Sequence, residues 1–127
     1  HQNDKNKTIK MANAILHLID KDHYQVLSLS GRLDLRSIHN SSVALRDIPL
    51  KHTLVDCTNI DFIDSSGLGM ITSLQQRLNQ NDYQMTLMRV SGVILTVLQR
   101  MRLDTLFTFV ASEADAKEQF LRAPTEQ

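Results

Sequence analysis

A chain of 127 residues has the length of one domain and can bury a core without disulfides or a structural metal. Its 14 Lys and Arg balance its 14 Asp and Glu, which excludes a global field drawing in nucleic acid, an anionic membrane or an acidic substrate, so any partner must be recognised by a local patch. The single cysteine, Cys57, excludes an internal disulfide and a thiolate-cluster zinc site; with no apolar stretch near the roughly 20 residues that span a bilayer, a soluble protein of the reducing cytoplasm is expected.

Residues 1–13 read as a polar lead, an artificial remnant, the end of a linker or a trimmed natural start, outside the fold. Apolar residues then alternate with polar ones over residues 14–20, with Ile15, Leu16 and Leu18 around His17, and over 24–30, with Val26, Leu27 and Leu29. Both predict strands, and the short polar cluster Asp20-Lys21-Asp22-His23 predicts an antiparallel hairpin.

After Gly31-Arg32-Leu33-Asp34 the spacing of Leu35, Ile38, Ser42 and Leu45 predicts a helix that Pro49 stops. Thr53-Leu54-Val55-Asp56-Cys57 is a compact run typical of a buried strand, and 58–64 is expected to be a loop. Leu68, Ile71, Leu74 and Leu78 define the face of a longer helix with a polar exit at 79–82. Strand 84–90, a helix carrying Val93, Ile94, Val97, Leu98 and Met101, strand 106–110 and helix 113–121 complete the chain. The order ββαβαβαβα places it in the α/β class: a mixed, mostly parallel sheet opened by an antiparallel hairpin and covered by helices, with one domain over 14–122 and a tail at 123–127.

One segment does not behave like scaffold: Asn59-Ile60-Asp61-Phe62-Ile63-Asp64-Ser65-Ser66-Gly67-Leu68-Gly69, between the central strand and the long helix. The carboxyl end of a strand in such a sheet faces the crevice where ligands bind. Two glycines in the first turns of a helix cost about 1 kcal/mol each relative to alanine, so close packing or the approach of another surface should compensate. Ser65 and Ser66 stand where backbone N–H groups are unpaired and the dipole is positive, so a phosphate would be tolerated there. It would add about −1.5 to −2 charges beside Asp61 and Asp64 and repel a partner docked on the turn. Capping of the helix by Asp64 or Ser65 is the plainer use of these residues and is compatible with modification.

The segment Phe62-Ile63-Asp64-Ser65-Ser66-Gly67-Leu68-Gly69 resembles the signature of STAS-domain anti-sigma-factor antagonists. The resemblance runs over residues 15–121, through Ser30-Gly31-Arg32-Leu33-Asp34, Leu54-Val55-Asp56-Cys57 and Leu103-Asp104-Thr105-Leu106-Phe107. Arg102 stands where that family often has Gly. The resemblance implies the STAS fold and a non-enzymatic protein. Its phosphoacceptor would be Ser65, modified by a partner that is both serine kinase and anti-sigma factor, of the histidine-kinase-like ATPase fold, and restored by a serine phosphatase. It further implies that the unmodified form binds the kinase and that phosphorylation releases it. Ser66 would be supportive, and Arg32, Asp34 and Ser37, from a loop that approaches the turn in the family fold, are candidates for the contact surface with Asp61, Asp64, Gly67, Leu68 and Gly69. Other STAS domains regulate biofilm or secretion, or serve as constitutive assembly domains in lipid- and anion-transport complexes, and these outputs remain the alternative.

Other chemistries lack their residues. A serine hydrolase needs a Gly two positions before Ser65 and a later His, whereas every His precedes the turn. The third glycine of a dinucleotide fingerprint is replaced by Thr72, and no Walker-type Gly-Lys-Ser/Thr occurs. Nucleotide is therefore expected only as the partner kinase's substrate, with no cofactor, metal or direct nucleic-acid contact. His17 and His23 lack acidic or thiol companions at ligand spacing, Cys57 reads as a small core residue, and Met70, Met85, Met88 and Met101 read as core filling. Arg89, Arg100 and Arg102 read as solvated surface.

Overall fold

Strand β3, Tyr24–Leu33, is buried on both faces over its first half, as befits the interior strand on which the architecture is built. The computed structural model describes residues 5–39 and 45–122. Within them lie β1 (Lys7–Lys10), β2 (Ala14–Asp20), β3, α1 (Leu35–His39), β4 (His52–Ile63), α2 (Ser65–Gln80), β5 (Met85–Met88), α3 (Gly92–Arg100), β6 (Thr108–Val110) and α4 (Glu113–Arg122). The six strands form one sheet in sequence order. β1, β2 and β3 pair antiparallel, and β3 to β6 pair parallel.

The strand alternation separates two cores. Leu27, Leu29, Val55, Cys57 and Leu87 turn to one face, where they meet Leu68, Ile71, Leu74, Leu78, Ile94 and Leu98 of α2 and α3. Tyr24, Val26, Leu54 and Met88 turn to the other, where Ala116 and Phe120 of α4 cover them. The α/β class, the hairpin and the parallel remainder agree with the sequence reading.

Several boundaries do not: strand 84–90 is only Met85–Met88, strand 24–30 runs on to Leu33, and three further differences lie in the lead, β4 and β6. The polar lead is not wholly outside the fold, because Lys7–Lys10 pairs with β2 and Met11 is buried. A four-residue edge strand with Ile9 as its one apolar side chain is held by backbone hydrogen bonds, which leave no periodic mark in sequence. Second, 58–63 is strand rather than loop: β4 continues to Ile63 beside the end of β3, with register shifts between Ser28 and Ser30 and between Gly31 and Arg32. Such irregularities break the period-two signal. Third, β6 is only Thr108–Val110, and Phe107 is buried just before it. The first helix begins at Leu35 as expected, while Ser42 of its expected face lies outside the described residues. Met70, Met85 and Met88 are core, but Met101 is 47% exposed at the end of α3.

The departure at Arg102 has a backbone cause. Leu103 N–H bonds the Leu98 carbonyl at 2.8 Å and Arg102 N–H bonds that of Gln99 at 3.0 Å, the paired bonds of a Schellman helix end. The motif places Arg102 at φ 59°, a left-handed conformation that glycine adopts without a Cβ penalty. Arg102→Gly is expected to stabilise the protein by up to about 1 kcal/mol, read from the midpoint of urea unfolding.

Candidate functional site

The continuation of β4 beside β3 brings Ile63 opposite Leu33, so the two chains leave the sheet side by side and each starts a helix. Asp64 caps α2. Its Oδ1 accepts the N–H of Ser66 at 2.9 Å and of Gly67 at 3.1 Å, and its Oδ2 accepts the N–H of Leu35 at 3.1 Å, so one carboxylate ties the starts of α1 and α2 together. The Asp64 N–H returns a bond to the Leu33 carbonyl at 3.2 Å.

Ser65 is therefore the first helical residue rather than the cap. It is exposed, and its hydroxyl has no partner among the described residues. The positive end of the α2 dipole lies at this residue.

Gly67 and Gly69 differ in kind. A Cβ on Gly67 would stand 2.3 Å from the Leu33 carbonyl oxygen and 2.8 Å from Ile63 Cγ1, so α2 can seat on the ends of β3 and β4 only through a glycine there. A Cβ on Gly69 would meet nothing within 4 Å. The close approach expected for the glycines is thus intramolecular at Gly67, whereas nothing among the described residues occupies the space beside Gly69.

Asp34 caps α1 through the Ser37 N–H at 3.1 Å, receives the Asn13 side-chain amide at 3.0 Å and lies 3.6 Å from Arg32 Nε. The Ser37 N–H holds the Asp34 carboxyl below its usual range, partial desolvation opposes this, and Asn13 and Arg32 add to the lowering. Arg32 lies 4.1 Å above the centre of the Phe62 ring, and both are exposed beside the turn.

Of the residues singled out in the sequence, Ser65, Ser66, Gly69, Asp61 and Arg32 lie at or near the surface, with Asp34 and Asp64 half-buried as caps. Ser37 is not on the contact surface. It is fully buried, its hydroxyl accepting the Asn13 N–H at 2.8 Å and donating to the Arg32 carbonyl at 2.9 Å. Leu68, 2% exposed, is a core residue, and Gly67 is buried. The residue missed is Asn13, which also accepts the Arg32 N–H at 2.8 Å. It lies in the lead set aside as polar, and only its proximity to Gly31, at φ 91°, could have signalled a tight backbone crossing.

Burial, then the neighbouring Asp56, pushes the Cys57 thiol up to about 12, consistent with a core residue. Among the described residues no group of three His, Cys, Asp or Glu could hold a metal, and no helix is long and apolar enough to cross a membrane.

The STAS-domain family model matches residues 10–116. The chain belongs to the STAS-domain family. An anti-sigma factor antagonist from Mycobacterium paratuberculosis superposes with a TM-score of 0.69 at 18% identity, over 85% of this chain and 94% of that one. The anti-sigma factor antagonist SpoIIAA in its unphosphorylated form gives 0.67 at 21%, over 87% and 99%. The Bacillus cell fate determinant SpoIIAA in its phosphorylated form gives 0.61 at 19%, over 82% and 98%. These likenesses establish the fold, a mixed sheet with an antiparallel opening and a parallel remainder. Among curated proteins none matches the chain.

Two measurements test the local geometry. Gly69→Ala is expected to raise the unfolding free energy by about 0.5–1 kcal/mol through helix propensity alone. Gly67→Ala is expected to lower it by about 1–3 kcal/mol through the forced displacement of α2. Asp34, depressed in the folded state, contributes stability that is complete above the unfolded value of about 3.9 and is lost as pH falls through its lower folded value. Asp34→Asn should therefore flatten the acid limb of the stability profile and leave it unchanged in shape near neutrality.

Proposed function

We propose that this protein is a phosphorylation-controlled interaction switch of the anti-sigma-factor antagonist type. Its unmodified form binds a partner that is both serine kinase and anti-sigma factor, with a histidine-kinase-like ATPase fold, and phosphorylation of Ser65 releases that partner. The kinase transfers the γ-phosphoryl group of ATP to Ser65 Oγ, the hydroxyl proton is lost and ADP leaves. A serine phosphatase hydrolyses the ester and restores the binding form. The protein acts as substrate and ligand in the cytoplasm rather than as an enzyme, and contacts no nucleic acid itself.

The observation that carries this reading is the division of labour between Asp64 and Ser65. Asp64 makes the capping bonds, while the exposed Ser65 hydroxyl bonds to nothing among the described residues. A phosphate can then be added at the positive end of α2 without removing a structural contact. It changes the charge of the surface one helical turn from Gly69, a local event with a binding readout. The STAS fold, shared with a protein solved in both phosphorylated and unphosphorylated forms, supports the same reading.

In protein recovered from its native cells, mass mapping should place one phosphoryl group on Ser65, absent from Ser65→Ala. Against the cognate kinase, Ser65→Ala should bind as the unmodified protein does, and Ser65→Asp at least about tenfold more weakly. Equal affinity of both variants, with no phosphate at Ser65 under any growth condition, would overturn the switch and favour a constitutive assembly domain.

A further inference from the structure

We infer that the groove between α1 and α2 receives an amphipathic helix of the partner, apolar on its inner face and acidic on its flanks. This rests on the interaction role proposed above and names the chemistry that docks. The groove encloses about 570 Å³. Leu35, Ile38, Leu45, Met70 and Leu74 give it an apolar lining, and Leu35 is left 64% exposed, a large apolar side chain without cover.

The fixed charges on this lining have one sign. Arg46 and Arg77 lie on it, and among the described residues no carboxylate lines it. Arg77 is fixed by donating to the Ile48 carbonyl at 2.7 Å, and Arg46 is exposed. An apolar trough edged by cations complements a ligand with an apolar ridge and acidic borders.

Shape selects a helix. Ser66, Gly69 and Ser73 of α2 line the same groove at three- and four-residue spacing, so its α2 wall is low where the ridge of a second helix would cross. Gly69 carries no side chain although a Cβ there would touch nothing, so its helix-propensity cost has no return within the described fold. Close approach by a partner supplies one.

The same geometry gives the switch its direction on physical grounds. Ser65 and Gly69 are four residues apart on α2 and share a face, so a phosphate on Ser65 stands one turn from the groove. Its charge would oppose the acidic flanks of the docked helix and be screened by salt.

The test uses the full protein and two labelled synthetic helices, identical in a leucine ridge, one flanked by glutamate and the other by lysine. Fluorescence polarisation should show saturable binding of the glutamate helix at least about tenfold tighter than the lysine helix, with the difference shrinking at high salt. Arg46→Glu should reverse the preference. Gly69→Leu should abolish binding while its melting temperature is unchanged or higher, which separates blocking from misfolding. Equal binding of both helices, or an unaltered affinity in Gly69→Leu, would overturn the assignment. So would a concentration-dependent dimer lost in Gly69→Leu, because the occupant would then be a second copy of the chain. Probe binding needs no phosphate: a phosphate mapped to Ser65 without preference for the acidic helix refutes the groove alone, and the reverse result refutes the switch alone.

Discussion

The Asp64 carboxylate is the contact on which the functional end of this molecule depends. Three backbone N–H groups from two different helices converge on its two oxygens. Each is a donor that a helix start would otherwise leave unpaired, and a charged acceptor makes these bonds stronger than neutral ones. Because one side chain satisfies both helices, α1 and α2 are oriented by a single group. The surface between them, including the groove and the exposed Ser65, follows from that orientation.

The cap works only because the sheet delivers it to the right place. β3 and β4 run in parallel to Leu33 and Ile63, and the register shifts near Ser30 and Arg32 bring these two ends level. Gly67 then allows α2 to press against the Leu33 carbonyl. Asn13 and Ser37 brace the other side of the junction, Asn13 crossing from the entry to β2 and Ser37 from the interior of α1. The backbone of the turn is thus held by hydrogen bonds on both sides while Ser65 is exposed, an arrangement suited to a surface read in two charge states.

Much of this was legible in the chain. The helical spacing of Leu68, Ile71, Leu74 and Leu78 and the alternation around Leu16 and Leu27 located the elements, because each packs one face against a core. The Asp-Ser-Ser-Gly turn was legible because capping has narrow residue preferences. β1 was not, since an edge strand of Lys, Thr, Ile and Lys is held by main-chain bonds alone. The continuation of β4 was not, since irregular pairing erases alternation. The resemblance brings the loop of Ser37 to the turn but does not show that its hydroxyl is buried against the Asn13 amide and the Arg32 carbonyl.

By itself the sequence determined the α/β class and the order of the main elements, which rest on local propensity and spacing, and the resemblance of the segment 62–69 pointed to the family. The tertiary structure decided which of Asp64 and Ser65 is the cap, that Gly67 meets Leu33 while Gly69 meets open space, and that Asn13 supports a site about fifty residues away in the chain. The reason is that local pattern reports which face of an element is buried. What a particular polar atom bonds to, and whether the space beside a glycine is filled, depend on the neighbours that the folded sheet brings together.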